Sequence, residues 1–428
     1  MRTHFVIISL LFFCGFSVTA SAEETLTWQD CVREAQKNHP DLISAQEGIN
    51  EARSNKGIAA SDFLPQITSN ASASRAKTTT LSSDNDKTSR IGNSYSYGVS
   101  GRQLLFDGFK TYHNFRSASE NMKAAQFTYR FTSSEVRLRL RAAFINLLKA
   151  QELLRITEDI RNIRKNNLDL ITLRYQSGLE HKGAMLTAQA NLAEAEFEIT
   201  QARRALEVVQ RELTKEMGRR EFSPMRAEGA FEVIDTASEK PDFEALARNN
   251  PSLEKLAAQK NAASYGLKAT YANFLPEVSA EAGASRTGAH WLPKNDQWNA
   301  GLTASFPIFE GGLRLAQVSQ ARALLNQAEA DEHSAKDGII LTLQQTWAAL
   351  QDAAETVMVQ KKFLEAAEER SKIAGEQYAL GLVQFDNWTI IEDGLVTTKK
   401  TFLNAQANAL IAEANWVQAK GETLEYAK

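Results

Sequence analysis

Histidine, cysteine, serine and the carboxylates carry most enzymatic chemistry, and in this chain none of them falls into a working catalytic arrangement. The six histidines stand at positions 4, 39, 113, 181, 290 and 333. No two are four apart, so a zinc site of the His-Glu-x-x-His type is absent. There is no Gly-x-Ser-x-Gly elbow and no phosphate-cradling glycine loop. The two cysteines are Cys14 and Cys31; the first sits in an N-terminal apolar run, which excludes a disulfide framework within one mature chain. The lone Cys31, on the first helix, is expected to be buried and unreactive, and His39 to be a turn residue before a helix-interrupting proline. No cofactor, no metal and no enzymatic activity are expected. One group of acids remains, Asp386, Glu392 and Asp393. Repeated as a ring around a narrow mouth, such carboxylates would repel anions, attract cations and raise one another's pKa. Standing alone, they would be solvated helix-start acids favoured by the helix dipole. The elements that carry them decide between the two.

Residues 1–22 read as a secretory leader and stand apart from the fold. Arg2 supplies the positive start, Phe5 to Phe13 the apolar stretch, and Ala20-Ser21-Ala22 the small-residue cleavage site. The mature chain would begin near Glu23, outside the cytoplasm. The formal net charge is −3, one unit more negative once Arg2 is removed, which argues against a nucleic-acid partner. Beyond the leader no apolar stretch approaches the roughly 18 residues of a membrane-spanning helix.

All eight prolines lie at 40, 65, 224, 241, 251, 276, 293 and 307. The segment 109–176 has neither proline nor glycine, and 184–217 has none either. Continuous helix over 109–176 would be a rod of roughly 100 Å. Its apolar residues form two neighbouring stripes: Leu140, Ala143, Leu147, Ala150 and Leu154 on one, Leu153, Ile156, Ile160, Ile163 and Leu170 on the other. Two stripes call for two packing partners, as in a multi-helix ring.

An internal repeat organises the rest. Asn38-His39-Pro40 matches Asn249-Asn250-Pro251, and Phe63-Leu64-Pro65 matches Phe274-Leu275-Pro276, at an offset of 211 residues. Phe106-Asp107-Gly108 matches Phe309-Glu310-Gly311, and Tyr175-Gln176-Ser177-Gly178-Leu179 matches Tyr378-Ala379-Leu380-Gly381-Leu382, at 203. The length difference therefore lies wholly between Pro65 and Phe106. Loops absorb such changes; a rod cannot, because each inserted residue rotates every later side chain by about 100°.

The expected first repeat is 23–218: a helix from about Leu26 to Ser61, a strand pair at 66–75 and 93–106, a long helix 109–176 and a return helix 184–217. A linker, 219–241, leads to the second repeat, 242–428. That half should hold a helix from Asp242 to Asn273, strands at 277–287 and 297–309, a long helix 312–379 and a return helix 387–420. The strands alternate apolar and polar residues, as in Trp298, Ala300, Leu302 and Ala304 against Asn299, Gly301, Thr303 and Ser305. About ten residues is the length of a tilted membrane-crossing strand. The polar connector 76–93 reads as an external loop. Four strands cannot close a barrel, and lipid tolerates no open edge, so chains must pool strands; three copies give twelve strands and a lumen.

With its duplicated Phe-Leu-Pro and Tyr-x-x-Gly, and with Phe306-Pro307-Ile308-Phe309-Glu310-Gly311-Gly312 opening a long helix, the mature chain resembles the TolC-type outer-membrane efflux channels over essentially its whole length. The resemblance implies a mainly α fold with a small β part. Long antiparallel coiled-coil helices would form a trimeric α-helical barrel, continued by a shared 12-stranded outer-membrane β-barrel. It implies a homotrimer in outer-membrane lipid serving a tripartite efflux pump or type I secretion system. Its partners would be a periplasmic adaptor (membrane fusion) protein and an inner-membrane transporter of RND or ABC type. It places the adaptor-docking tip at Ser177, Gly178, Leu179, Leu380, Gly381 and Leu382.

The family narrows its pore with acids six and nine positions after the second glycine, where this chain has Asn387 and Ile390. Asp386 then ranks first as the pore acid, ahead of Glu392 and Asp393, with His181 and Lys182 as conceivable partners. Tyr378 matches the family's latch tyrosine, but its acidic and arginine partners align with Gly183 and Val383. The latch is not carried over residue by residue. Two other classes stand beside the channel: a trimeric coiled-coil envelope protein or adhesin, which leaves the duplicated strand pairs unexplained, and an exported enzyme, which lacks candidate residues. Drugs, metal ions, peptides and secreted proteins would all fit such a duct.

Overall fold

The computed structural model describes residues 24–81, 87–231 and 240–426; the expected leader lies outside them. The chain opens with β1 (Glu24–Leu26), α1 (Trp28–Asn38) and α2 (Pro40–Ser61). The expected single helix from Leu26 to Ser61 is thus two helices. Proline tolerates helical geometry only at a helix start, and it forces the residue before it into extended backbone. His39 obeys, with φ −67° and ψ 123°, and its Nδ1 accepts the Asp41 N–H at 3.1 Å to cap α2. The second copy repeats the break. α5 (Phe243–Arg248) gives way to α6 (Pro251–Ala272), and the Asn250 side chain accepts the Ser252 N–H at 2.9 Å. Two glycines at the repeat offset, Gly218 (φ 75°) and Gly421 (φ 80°), close these knuckles; a Cβ there would run into Asn38 O and the Pro251 ring respectively.

The strand segments are β2 (Gln66–Leu81), β3 (Lys87–Phe106), β5 (Glu277–Gly288) and β6 (Asn295–Ser305). They form one antiparallel sheet in the order β2-β3-β5-β6, with a register shift between Leu104 and Phe106. The expected loop 76–93 is mostly strand: β2 and β3 stay paired from Ala76↔Gly92 out to Leu81↔Lys87. Thr78, Thr79 and Thr80 suit extended backbone, and a paired hairpin needs no lipid to persist. β6 ends at Ser305 rather than at 309, ahead of Pro307, which has no N–H for a ladder.

The rods are α3 (Lys110–Gln176) and α7 (Leu313–Ala379), both 67 residues, returning as α4 (Lys182–Glu216) and α8 (Phe385–Ala419). Each is about 100 Å or 50 Å long at ~1.5 Å per residue. α3 uses both of its stripes. Leu140, Ala143 and Leu147 pack with Leu213 and Met217 from the end of the α4 arm, while Ile156 and Ile160 meet Ala195 of α4 and Leu403 of α8. α7 has only one partnered side. Leu341, Met358, Val359 and Phe363 along it are half or more exposed.

Between the copies a short strand, β4 (Met225–Ala227), pairs in parallel with β1, so the expected linker is partly ordered structure. Arg219 locks it by gripping Glu34 at 2.6 Å and Glu24 at 2.7 Å. Cys31 is fully buried beneath, and burial pushes its thiol up to about 12.

Candidate functional site

Side chains alternate across a strand, and here the two faces differ in kind. One carries Ile67, Ala71 and Ala73 from β2, Tyr95, Tyr97 and Val99 from β3, Ala280, Ala282 and Ala284 from β5, and Trp298, Ala300 and Leu302 from β6. Its large members are bare in the single chain: Trp298 is 83% and Leu302 73% exposed. The opposite face is lined by hydroxyls and amides. Thr68 and Ser100 bond across the β2–β3 pair at 3.0 Å, and Ser72 and Ser96 at 2.8 Å. Near the helical end of this polar face Arg102 sits between Glu277, at 2.8 Å, and Glu281, at 3.7 Å.

At the far end of the rods the two helix turns are alike. Gly178 (φ 74°) and Gly381 (φ 78°) take the left-handed backbone that ends a helix. The Leu179 and Leu382 N–H groups donate back to Arg174 O at 2.8 Å and Gln377 O at 2.9 Å, and the glycine N–H groups donate to Tyr175 O and Tyr378 O. Leu179, Leu380 and Leu382 project into solvent, each at least 66% exposed, and Ser177 donates its hydroxyl to Leu173 O.

Between these turns lies a network that alignment did not supply. Tyr378 is buried, and its hydroxyl donates to Glu180 Oε2 at 3.0 Å. Trp388 stacks on its ring at 4.3 Å and 12°, and the Arg174 guanidinium lies 4.9 Å from the ring centre. Arg174 also donates to Ala379 O at 3.3 Å. The acid partner of Tyr378 is thus Glu180, three residues before the aligned Gly183, and the arginine comes from α3. A signal was present in the Arg174-Tyr175 and Glu180-His181 pairs that bracket the first turn, but only the packing of one hairpin on the other selects them.

The acids near this end part company. Asp386 and Asn387 are exposed in the first turn of α8. Glu392 is buried and accepts the Ser371 hydroxyl, tying α8 to α7. Asp393 pairs with Arg164, tying α8 to α3. No ion pair among the described residues joins Asp386 to His181 or Lys182; His181 caps α4 by accepting the Ala184 N–H at 3.1 Å and faces Glu180. Among the described residues no cluster of His, Cys, Asp and Glu could hold a metal ion.

A family model described as outer membrane efflux protein matches residues 31–219 and 244–423. The outer membrane efflux protein BepC of Brucella suis is 24% identical over 410 residues, covering 95% of this chain and 84% of BepC. The outer membrane protein TolC of Escherichia coli is 24% identical over 433 residues, with 95% and 84% covered. Among solved structures, a membrane protein from Pseudomonas aeruginosa shares the fold with a TM-score of 0.81 at 18% identity, over 91% of this chain and 92% of that one. The chain belongs to the outer membrane efflux protein family. It is a non-enzymatic transport channel of the outer membrane, with its helices extending into the periplasm.

Proposed function

We propose that this family member works as a homotrimer, in which three four-stranded sheets close a 12-stranded barrel and twelve rods continue it as a duct. The sheet's two unpaired edges carry this reading. β2 and β6 each end the sheet, and each unsatisfied backbone group in lipid costs several kcal/mol. Pairing β2 of one copy with β6 of the next removes both edges at once. The apolar face then meets lipid, and the hydroxyl face lines the lumen. The same neighbour supplies a partner for α7. By the duplication, α3 on α8 within one chain corresponds to α7 on α4 between chains, and α4 presents exposed Leu186 and Phe197. Burying a side chain such as Phe363 contributes about 1.5–3 kcal/mol.

At the periplasmic end, Ser177, Gly178, Leu179, Leu380, Gly381 and Leu382 form the surface that receives a helical hairpin of the adaptor protein, which links the duct to an RND or ABC transporter of the inner membrane. Tyr378, held by Glu180 and Arg174, keeps the α7–α8 hairpin folded against α3–α4 and so holds the mouth closed. Asp386, with Asn387 beside it, supplies the acid ring. Glu392 and Asp393 are committed to Ser371 and Arg164 and serve to brace α8. The duct serves a tripartite efflux pump or a type I secretion system.

The test is fractionation followed by gel migration with and without heating. An outer-membrane, detergent-extracted band of trimer size that collapses to the monomer on boiling is expected. A stable single subunit in the aqueous fraction would refute the proposal.

A further inference from the structure

The apolar face of the sheet ends in cations at its outer rim. Arg75 lies nine residues after Gln66, the first residue of β2, and Arg286 lies nine after Glu277, the first of β5. The two arginines are equivalent at the repeat offset of 211. Nine residues at ~3.3 Å, tilted by ~40°, rise roughly 23 Å, close to the ~25 Å height of a barrel's apolar band. On β2, Arg75 follows Ala73, whose cross-strand partner is Tyr95, and Lys77 comes next on the same face, opposite Ile91. Tyr95 packs edge-on against Trp291 at 5.9 Å; such aromatic residues mark the headgroup level. Arg75 and Lys77 therefore point outward where hydrocarbon gives way to headgroups.

The two copies differ in what faces the arginine. In the second, Asp296 is opposite Arg286 and takes its guanidinium at 2.5 Å. In the first, the residue opposite Arg75 is Asn93, which is neutral. Neither Arg75 nor Lys77 has a hydrogen bond or ion pair to any described residue. Closing the trimer does not supply an acid to Arg75. Carried through the repeat, the β3–β5 register sets Ala300 of the partner subunit against Arg75 and Trp298 of the partner subunit against Lys77. Asp296 of the partner subunit lies beyond that ladder and is already committed to its own Arg286.

We propose that Arg75 and Lys77 form a binding site, one per protomer, for the phosphate of an outer-leaflet lipid headgroup. Arginine's planar fork takes two phosphate oxygens and lysine adds a point charge, as basic clusters at membrane boundaries do for anionic lipids. The acyl chains lie along Val99, Ala71 and Ile67 below. The second copy's rim is closed to the same ligand because Asp296 occupies Arg286 and Gly288 stands where the first copy has Lys77. The inference rests on the outer-membrane reading of the sheet.

Full-length protein in lipid-free detergent is mixed with bis-phosphorylated lipid A and examined by native mass spectrometry. Up to three lipids per trimer are expected, with at least tenfold weaker retention in R75Q/K77Q. Equal retention by R75Q/K77Q while it still runs as a heat-sensitive trimer would overturn the site and leave the channel standing. Equal retention of dephosphorylated lipid, or displacement of the lipid by an equal concentration of inorganic phosphate, would overturn the lipid assignment. A wild-type protein that is not an outer-membrane trimer would remove both.

Discussion

The Tyr378 hydroxyl donates to Glu180 at 3.0 Å and so ties the end of α7 to the turn between α3 and α4. It is a bond between the two repeats, at the end of the molecule farthest from the sheet. The two ring contacts belong to different hairpins: Trp388 follows Tyr378 into α8, whereas Arg174 comes from α3. Burial, aided by Glu180, pushes the phenol up to about 12, so it remains a donor throughout the physiological pH range. A hydrogen bond to a charged group contributes about 1.5–3 kcal/mol. Tyr378→Phe, which keeps both ring contacts, should favour the open tip by about tenfold or more per protomer. Single-channel recording in planar bilayers should show a raised conductance, and an unchanged trace would remove the latch.

Of Asp386, Glu392 and Asp393, Asp386 is the one with no side-chain partner among the described residues, Glu392 being held by Ser371 and Asp393 by Arg164. Asp386→Ala should lower cation preference, read from reversal potentials in a salt gradient, and leave trimer stability unchanged. Asp393→Ala should leave selectivity unchanged and lower trimer stability, since it strands the buried Arg164. If Asp393→Ala shifted selectivity and Asp386→Ala did not, the assignment would be reversed.

Glu216 sits in the knuckle with its side chain 5% exposed, facing His39 Nε2 at 3.5 Å. The His39 contact, against the opposing effect of burial and with help from Lys215 and Arg139, holds its carboxyl at about 2 instead of the usual 4.5. A folded-state value below the unfolded one means that the ionised form stabilises the fold. The contribution is complete above about pH 4.5 and is lost as pH falls towards 2. Glu216→Gln should lower the thermal midpoint at pH 7 and flatten its fall between pH 4.5 and 2. Parallel profiles for the two proteins by circular dichroism would contradict this.

Phe363 is 61% exposed on the unpartnered side of α7. Phe363→Asp should cost little within a single chain and should abolish the trimer band on unheated gels, because a bare carboxylate would have to be buried at the subunit seam. Phe144→Asp, in the core beneath Trp28, should instead prevent folding. A normal F363D trimer would show that the neighbouring subunit does not pack there.

Much of this was legible in one dimension. The strict 203-residue offset through the rods and the looser spacing through the strands separate helix from hairpin in the sequence itself, because a helix transmits an inserted residue as rotation and a hairpin does not. Strand alternation separates an apolar face from a hydroxyl-lined one for the same reason of periodicity. The errors fell where local signals were weakest. Thr78 to Thr80 are polar and so read as loop, yet they are β-branched and pair as strand with Arg90, Ser89 and Thr88. The 219–241 segment reads as linker in the sequence, but Arg219 and β4 are ordered by contacts with residues nearly 200 positions away.

What the sequence by itself determined is the set of periods: 3.6 along the rods, two along the strands, and one repeat through the whole chain. Those follow from backbone geometry and hold wherever the chain lies in space. Which carboxylate meets Tyr378, which acid is used up by Arg164, and why Arg286 is neutralised while Arg75 is not were decided by tertiary structure alone. These are pairings across elements, and at a distance of a few ångströms a shift of three residues, from Gly183 to Glu180, changes whether there is a partner at all.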